Sequence, residues 1–288
     1  MTSWTAADLP SFAGRTAIVT GANSGLGAVT ARELARVGAK VILAVRNPGR
    51  GAAAAQEMTG DVEVRQLDLQ NLASVREFAS RVDSEIDVLV NNAGIMAVPH
   101  AVTSDGFESQ IGTNHLGHFA LTNLLLPKVT DRVVTVSSLM HYMGYVSLRD
   151  LNWTARPYSA WIAYGQSKLA NLLFTSELQR RLEAARSPLR AVAAHPGYSH
   201  TNLQGHSGHL SNALMSLGNK LATDADFGAQ QTLYAISQDV AGDSFIGPSF
   251  GMFGRTRAVG RSPLAKRRAT GAALWELSEQ LTGTKFPL

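Results

Sequence analysis

The chain has 288 residues, of which 45% are hydrophobic and 17% charged, and its 26 Lys and Arg against 22 Asp and Glu give a formal charge of +4. This composition excludes intrinsic disorder, which needs low hydrophobicity and high charge, and the length can bury a core without disulfide or metal staples. The absence of cysteine excludes disulfide scaffolds, Cys-ligated zinc and thiol catalysis, and suits a reducing compartment.

The N-terminal residues show neither the basic nor the apolar region of a secretory signal. Thr5 and Asp8 have capping-box spacing for one short helical turn. No stretch approaches the roughly 18 apolar residues of a membrane span, so the sequence predicts no membrane insertion and a cytoplasmic location. Nearly continuous apolar runs predict strands at 16–20, 41–45, 87–91, 133–137 and 191–195, with a weaker strand at 62–66 and a seventh at 244–246. Between them, helical periodicity covers 26–37, 72–81, 104–127, 157–185 and 224–237, and a C-terminal helix is expected near 269–281. Strands apolar on both faces, alternating with helices, predict one doubly wound α/β domain over 1–288: a parallel sheet of about seven strands with helices on both faces. Its core is expected at 12–245, with 246–288 as a C-terminal extension. The Gly-, Ser-, Asn- and His-rich stretch 200–221 reads as a substrate lid.

The first strand runs into Thr20-Gly21-Ala22-Asn23-Ser24-Gly25-Leu26-Gly27 and then the first helix. Glycines at Gly21, Gly25 and Gly27 permit a tight turn that lets a pyrophosphate approach the backbone, and the free N–H groups at the helix start favour an anion. Asn23, Ser24 and Leu26 line the same turn. Arg46 follows the second strand, where this architecture places the adenosine ribose, and no residue in 41–48 is acidic. An arginine there favours a 2′-phosphate, hence NADP(H) over NAD(H); a plain surface arginine is the alternative. Asn91-Asn92-Ala93-Gly94 ends the fourth strand, where Asn92, Ala93 and Gly94 can line the adenosine side.

Tyr164 and Lys168 are four residues apart on a predicted helix and so share a face. An ammonium beside a phenol lowers the phenol pKa and makes Tyr164 a general acid or base. Ser138 ends the fifth strand, where a hydroxyl can hydrogen-bond a substrate carbonyl, with Ser137 as competitor. Asn114 lies inside an apolar helix and needs polar partners; a water chain to Lys168 would supply one.

In order and in element, these motifs, with His195-Pro196-Gly197, resemble the short-chain dehydrogenase/reductase family over about residues 12–245, and most closely its branch of retinol dehydrogenases and related NADP-dependent reductases. The resemblance implies a Rossmann domain that transfers hydride between a nicotinamide cofactor and a carbonyl or alcohol. Asn114, Ser138, Tyr164 and Lys168 would be catalytic, with Tyr164 and Lys168 also touching the cofactor. It further implies that Asp68 bonds the adenine amino group with Leu69 beside the ring, although Asp68 can equally cap the next helix. Pro196, Gly197 and Thr201 would hold the nicotinamide carboxamide. Family members often pair through the helices at 104–127 and 157–185, which suggests a homodimer or homotetramer. The segment 142–161 between Ser138 and Tyr164 would form a loop over the site, and Gly165, where that branch often has Cys or Ala, loosens the helix slightly.

Other signals point elsewhere more weakly. His115/His118 and His206/His209 have His-x-x-His spacing but no acidic residue nearby, so no metal site is predicted. A hydrolase built on Ser138 and His141 lacks a nucleophile elbow. The basic run Lys266-Arg267-Arg268 has no aromatic ladder and reads as a solvated helix face, so no nucleic-acid partner is expected. The alternatives are an NAD-dependent alcohol dehydrogenase and a catalytically silent nucleotide-binding regulatory protein. Apolar residues in the loops suggest a lipophilic small-molecule substrate.

Overall fold

The apolar runs become strands because each is covered on both faces. In the computed structural model, which describes residues 4–197 and 225–288, β1 (Thr16–Thr20), β2 (Lys40–Val45), β4 (Ile86–Asn91), β5 (Val129–Val136) and β6 (Arg190–Ala194) are largely buried. β3 (Asp61–Gln66) is only half-buried at the sheet edge, which is why its apolar signal is weak. With β7 (Phe245–Pro248) and β8 (Thr256–Ala258) they form one sheet in the order β3-β2-β1-β4-β5-β6-β7-β8. All pairs are parallel except β7 with β8, a hairpin that adds an eighth strand to the seven predicted.

The order reverses at β1, with β2 on one side and β4 on the other. Registers pair Thr20 with Ala44, Asn91 with Thr135 and Val136 with Ala194. The carboxyl ends of these strands therefore share one edge, the place where open parallel sheets bind ligands.

On one face pack α3 (Leu72–Ser80), α4 (Ser109–Ile111), α5 (Gly117–Leu125) and α6 (Ala160–Ala184), and outside them α8 (Arg268–Thr282). The other face is covered by α1 (Gly25–Arg36), α2 (Pro48–Gln56) and α7 (Ala225–Ser237). Trp275 of α8 stacks on Phe174 of α6 at 5.7 Å and meets Phe119 of α5 edge-on at 4.8 Å. The C-terminal helix thus covers part of α5 and α6, the helices through which relatives are expected to pair.

The predicted helix at 104–127 starts late and is interrupted. Asp105 accepts a hydrogen bond from Leu72 N at 2.8 Å instead of joining a helix, and the Glu108 carboxylate caps Gln110 N and Ile111 N. Residues Gly112–Leu116 between α4 and α5 form a π-helical turn that contains Asn114. The expected first turn is present at Ala6–Asp8, where Asp8 accepts from Thr5 N at 2.7 Å. The proposed lid at 200–221 lies outside the described residues. Among the described residues no helix is long and apolar enough to cross a membrane.

Candidate active site

The glycine turn is shaped by what it packs against. Gly21 (φ +67°) and Gly25 (φ +54°) adopt the left-handed conformation that disfavours any side chain. A Cβ on Gly21 would lie 2.9 Å from Ala93, and one on Gly27 would lie 2.6 Å from the Gly21 carbonyl and collide with Asn92. Glycine is therefore needed for the β1–α1 turn to sit on the loop that follows β4. Ser24 is the N-cap residue of α1, yet its side chain makes no capping bond, so the first turn keeps N–H groups for an anion. Asn23 and Leu26 complete the turn. The residues present fit a dinucleotide pyrophosphate.

Thr20 locks the two strand ends together. Its Oγ1 accepts from Asn92 N and Ala93 N, both at 2.9 Å, and Asn92 Nδ2 returns a bond to Thr20 O at 2.8 Å. Asn91 turns inward to Thr122 at 2.8 Å.

At the end of β2, Arg46 is exposed and makes no side-chain hydrogen bond or ion pair with the described residues. Asn47 beside it caps α2, accepting from Arg50 N at 3.0 Å. After β3 the cap of α3 is Asn71, which accepts from Ala73 N and Ser74 N. Asp68 is therefore not the helix cap; it accepts from Gln70 N at 2.9 Å, while Leu69 is buried against the Gly117 backbone.

Across the edge, the four expected catalytic residues converge. Ser137 and Ser138 separate by role. Ser137 is buried and donates to the Lys168 carbonyl at 2.8 Å. Ser138 is half-buried, caps a 3-10 turn at Leu139–Met143 by accepting from Met140 N at 3.2 Å, and lies close enough to the Tyr164 hydroxyl to favour its phenolate form. Lys168 Nζ donates to Val136 O at 3.1 Å, lies 5.7 Å from the Tyr164 ring centre, and shares its acceptor with Asn171 Nδ2. Gly94 sits between Asn114 and Lys168, since a Cβ there would lie 3.2 Å from Asn114 Oδ1 and 3.5 Å from Lys168 Nζ.

One expectation needs correction. The ammonium was to pull the Tyr164 phenol down. Instead burial prevails: it pushes Tyr164 up to about 12, against a smaller downward pull from the Ser138 hydrogen bond. Burial also drives Lys168 down to about 8. The amine is spent on a backbone carbonyl under the ring rather than on the phenol oxygen. Asn114, for its part, directs both amide donors to protein, Ile95 O at 2.9 Å and Ser167 Oγ at 2.8 Å, and accepts from Ile95 N at 2.9 Å. Any water on its side chain has only the remaining lone pair of Oδ1.

Pro196 and Gly197 follow β6 on the same edge; Gly197 (φ +72°) donates to His195 Nδ1 at 3.2 Å. Thr201, the last expected cofactor contact, lies outside the described residues, as do His206 and His209. His115 and His118 point apart, His115 to Ser278 Oγ at 3.0 Å and His118 to Thr20 Oγ1 at 2.9 Å.

Three residues around the site went unrecognised in the sequence or were assigned too little. His118 braces Thr20. His141 bonds the Ser138 carbonyl at 2.7 Å. Gly165 does more than loosen α6: a Cβ there would lie 2.8 Å from Met140 O and 3.1 Å from Gly144 N, so the turn carrying Ser138 rests directly on the helix carrying Tyr164. The sequence signal for this contact is a glycine at each meeting point, Gly144 and Gly165.

Comparison with known proteins agrees with this geometry. The short chain dehydrogenase family profile matches residues 15–210. Human retinol dehydrogenase 13 is 41% identical over 295 residues, covering 95% of this chain and 86% of that protein. A crystal structure of a protein from Mycobacterium paratuberculosis is 69% identical, covers 100% of both chains and superposes with a TM-score of 0.90. The 3-ketoacyl-(acyl-carrier-protein) reductase of Brucella melitensis, solved with NADH, shares the fold at 23% identity and a TM-score of 0.64, over 82% of this chain and 97% of that one.

Proposed function

Because the chain belongs to the short chain dehydrogenase family and is an oxidoreductase, we propose that it moves a hydride between NADP(H) and the carbonyl or alcohol group of a lipophilic small molecule. The observation that carries this is the meeting of Ser138, Tyr164 and Lys168 at the strand edge that also holds the glycine turn. A bound nicotinamide dinucleotide supplies the hydride donor or acceptor.

The chain's own residues do the rest. The N-terminus of α1 with Gly21, Asn23, Ser24, Gly25, Leu26 and Gly27 binds the pyrophosphate. Asp68, Leu69, Asn92, Ala93 and Gly94 line the adenosine side, and Arg46, without a side-chain partner among the described residues, reaches the 2′-phosphate. Pro196 and Gly197, with Thr201, hold the carboxamide end. Tyr164 carries the proton on its phenol oxygen and passes it to the substrate oxygen, to which Ser138 also donates. Lys168, already short of solvation, gives up a proton readily and can restore the one Tyr164 passes on; it would also hold the nicotinamide ribose of a bound cofactor. Asn114 holds the Ile95 loop over Lys168 and offers its open lone pair to a water.

Apolar groups favour a lipophilic substrate. Tyr142 and Met143, on the turn after Ser138, are exposed, and so are Phe250, Met252 and Phe253 in the β7–β8 connection. That connection touches the turn, since a Cβ on Gly251 would lie 3.6 Å from the Leu139 side chain. The human relative is named for retinol, an apolar polyene alcohol.

The test is cofactor consumption across a panel of retinoid, fatty, steroid and quinone carbonyls, with Tyr164→Phe as control. General acid catalysis contributes roughly 10²–10⁴-fold, so Tyr164→Phe should lose at least about a hundredfold in turnover. Turnover above about a tenth of wild type in that variant refutes the assignment, and cofactor binding with no turnover on any carbonyl favours a regulatory nucleotide-binding protein.

A further inference from the structure

We propose that His141 is a positioning residue for Ser138 and that it couples the C-terminal segment after β8 to the catalytic turn. This rests on the oxidoreductase assignment above and adds to it a residue that does not touch the reacting atoms.

The imidazole is fully buried and joins the Ser138 carbonyl to the N–H of Ser262, a residue 121 positions beyond His141. Nδ1 lies 2.7 Å from the Ser138 carbonyl oxygen. A carbonyl can only accept, so Nδ1 carries the hydrogen, and Nε2 is then free to accept from Ser262 N at 3.1 Å. The Ser138 carbonyl also accepts from His141 N at 3.1 Å. Both of its lone pairs are used, which fixes the peptide plane leaving Ser138 and, with it, the direction of Oγ toward Tyr164.

The far end of the link is equally constrained. Ser262 Oγ and its carbonyl oxygen both accept from Ala265 N, at 3.3 and 3.1 Å, at the start of the short turn Leu264–Lys266 that leads into α8. The preceding Arg261 donates to Asp243 at 2.7 Å and to Ser176 Oγ of α6 at 2.8 Å. The ring is wedged between Phe245 of β7 at 5.5 Å and Tyr142 at 4.2 Å. The charged and titratable groups near it are Arg261 from the C-terminal segment, His195 from the end of β6 and Tyr142 on its own turn, and no carboxylate bonds the ring among the described residues. The site therefore keeps a neutral imidazole as a two-ended spacer. A hydrophobe of similar shape would fill the volume but leave the Ser262 N–H unpaired and remove one of the two bonds to the Ser138 carbonyl.

The experiment compares wild type, His141→Phe and His141→Asn in steady-state reduction of the best carbonyl from the panel, with cofactor titration and thermal unfolding alongside. In His141→Phe, kcat should fall at least tenfold while KM and the cofactor Kd stay within about threefold. Because Ser138 favours the phenolate form of Tyr164 while no substrate is bound, its misplacement should also move the alkaline decline of kcat/KM to higher pH, a change that loss of packing alone does not produce. His141→Asn keeps a donor at the place of Nδ1 and should recover most of kcat and return the alkaline limb. If His141→Phe does not fold, His141→Asn against wild type carries the comparison: kcat within threefold with an unmoved limb supports the Ser138 contact, and a tenfold loss overturns it. Where both fold, a kcat for His141→Phe within twofold of wild type, or equal losses in both variants, overturns the positioning role but leaves the oxidoreductase assignment standing. Wild-type protein that turns over no carbonyl at all overturns both.

Discussion

Nε2 of the buried His118 lies 2.9 Å from Oγ1 of Thr20, so a side chain from α5 closes the hydrogen-bond set of the glycine turn. His118 Nδ1 lies 3.1 Å from the Asn114 carbonyl and must donate to it, which leaves Nε2 as an acceptor for the threonine hydroxyl. Thr20 then accepts twice, from Asn92 N and Ala93 N, and its one hydrogen goes to the imidazole in preference to the more distant Val90 carbonyl at 3.3 Å.

Thr20→Val removes that hub while keeping the shape. The Ala93 N–H and an imidazole nitrogen lose their partner in a region with little water, while Asn92 N keeps the Val90 carbonyl at 3.0 Å. Each such group costs about 1–3 kcal/mol, so the variant should lose roughly 2–5 kcal/mol of unfolding free energy, while Thr20→Ser should stay within about 1 kcal/mol of wild type. Urea denaturation measures both. Equal stability of the valine and serine variants would show that the hydroxyl is dispensable.

Arg46 gives a prediction about the cofactor. A charge-assisted contact to the 2′-phosphate is worth about 1.5–3 kcal/mol, which corresponds to a ten- to hundredfold change in affinity. Arg46→Ala should weaken NADPH binding by that factor and leave NADH unchanged in a fluorescence titration. If the wild-type chain binds the two dinucleotides equally, the preference for the phosphorylated form is wrong.

Gly165 sets helix propensity against contact. On an isolated helix, Gly165→Ala should gain up to about 1 kcal/mol. Here the new methyl would come within 2.8 Å of the Met140 carbonyl, and the turn bearing Ser138 would have to retreat. The expected outcome is no gain in melting temperature and a several-fold lower kcat. A more stable and fully active alanine variant would mean that the turn yields freely.

How much of this was legible depended on the range of the interaction. Strands with unbroken apolar runs and the spacing of Tyr164 and Lys168 are local patterns, and they were visible in the sequence. α2 left no pattern because its small residues bury only Gly51, and β8 is three residues long with two of them exposed. The bonds of His118 and His141 span 98 and 121 residues, and no spacing rule encodes them. The Tyr164 expectation failed for a related reason: helical spacing gives the proximity of the amine but says nothing about how much water the fold takes from both groups.

The buried histidines make stability depend on pH in a defined direction. Burial holds His115 down to about 3 and both His118 and His195 down to about 4. In the unfolded chain each imidazole takes up its proton near pH 6.5, so between that value and about 4 the unfolded state binds more protons than the folded one. The stabilisation is present above about pH 6.5 and is lost as the pH falls toward 4, on the order of 3 kcal/mol for His118 alone. Urea midpoints measured from pH 7.5 to 4.5 should therefore decline through this window. His115 gives the sharper check, since it lies away from the strand edge and bonds Ser278 of α8. Replacing it with Asn removes one titrating group, so the slope of unfolding free energy between pH 6 and 4.5 should become shallower by about 1.4 kcal/mol per pH unit, the value for one proton. An unchanged slope would mean that His115 is charged in the folded chain, and its hydrogen bond to Ser278 would then be that of an imidazolium.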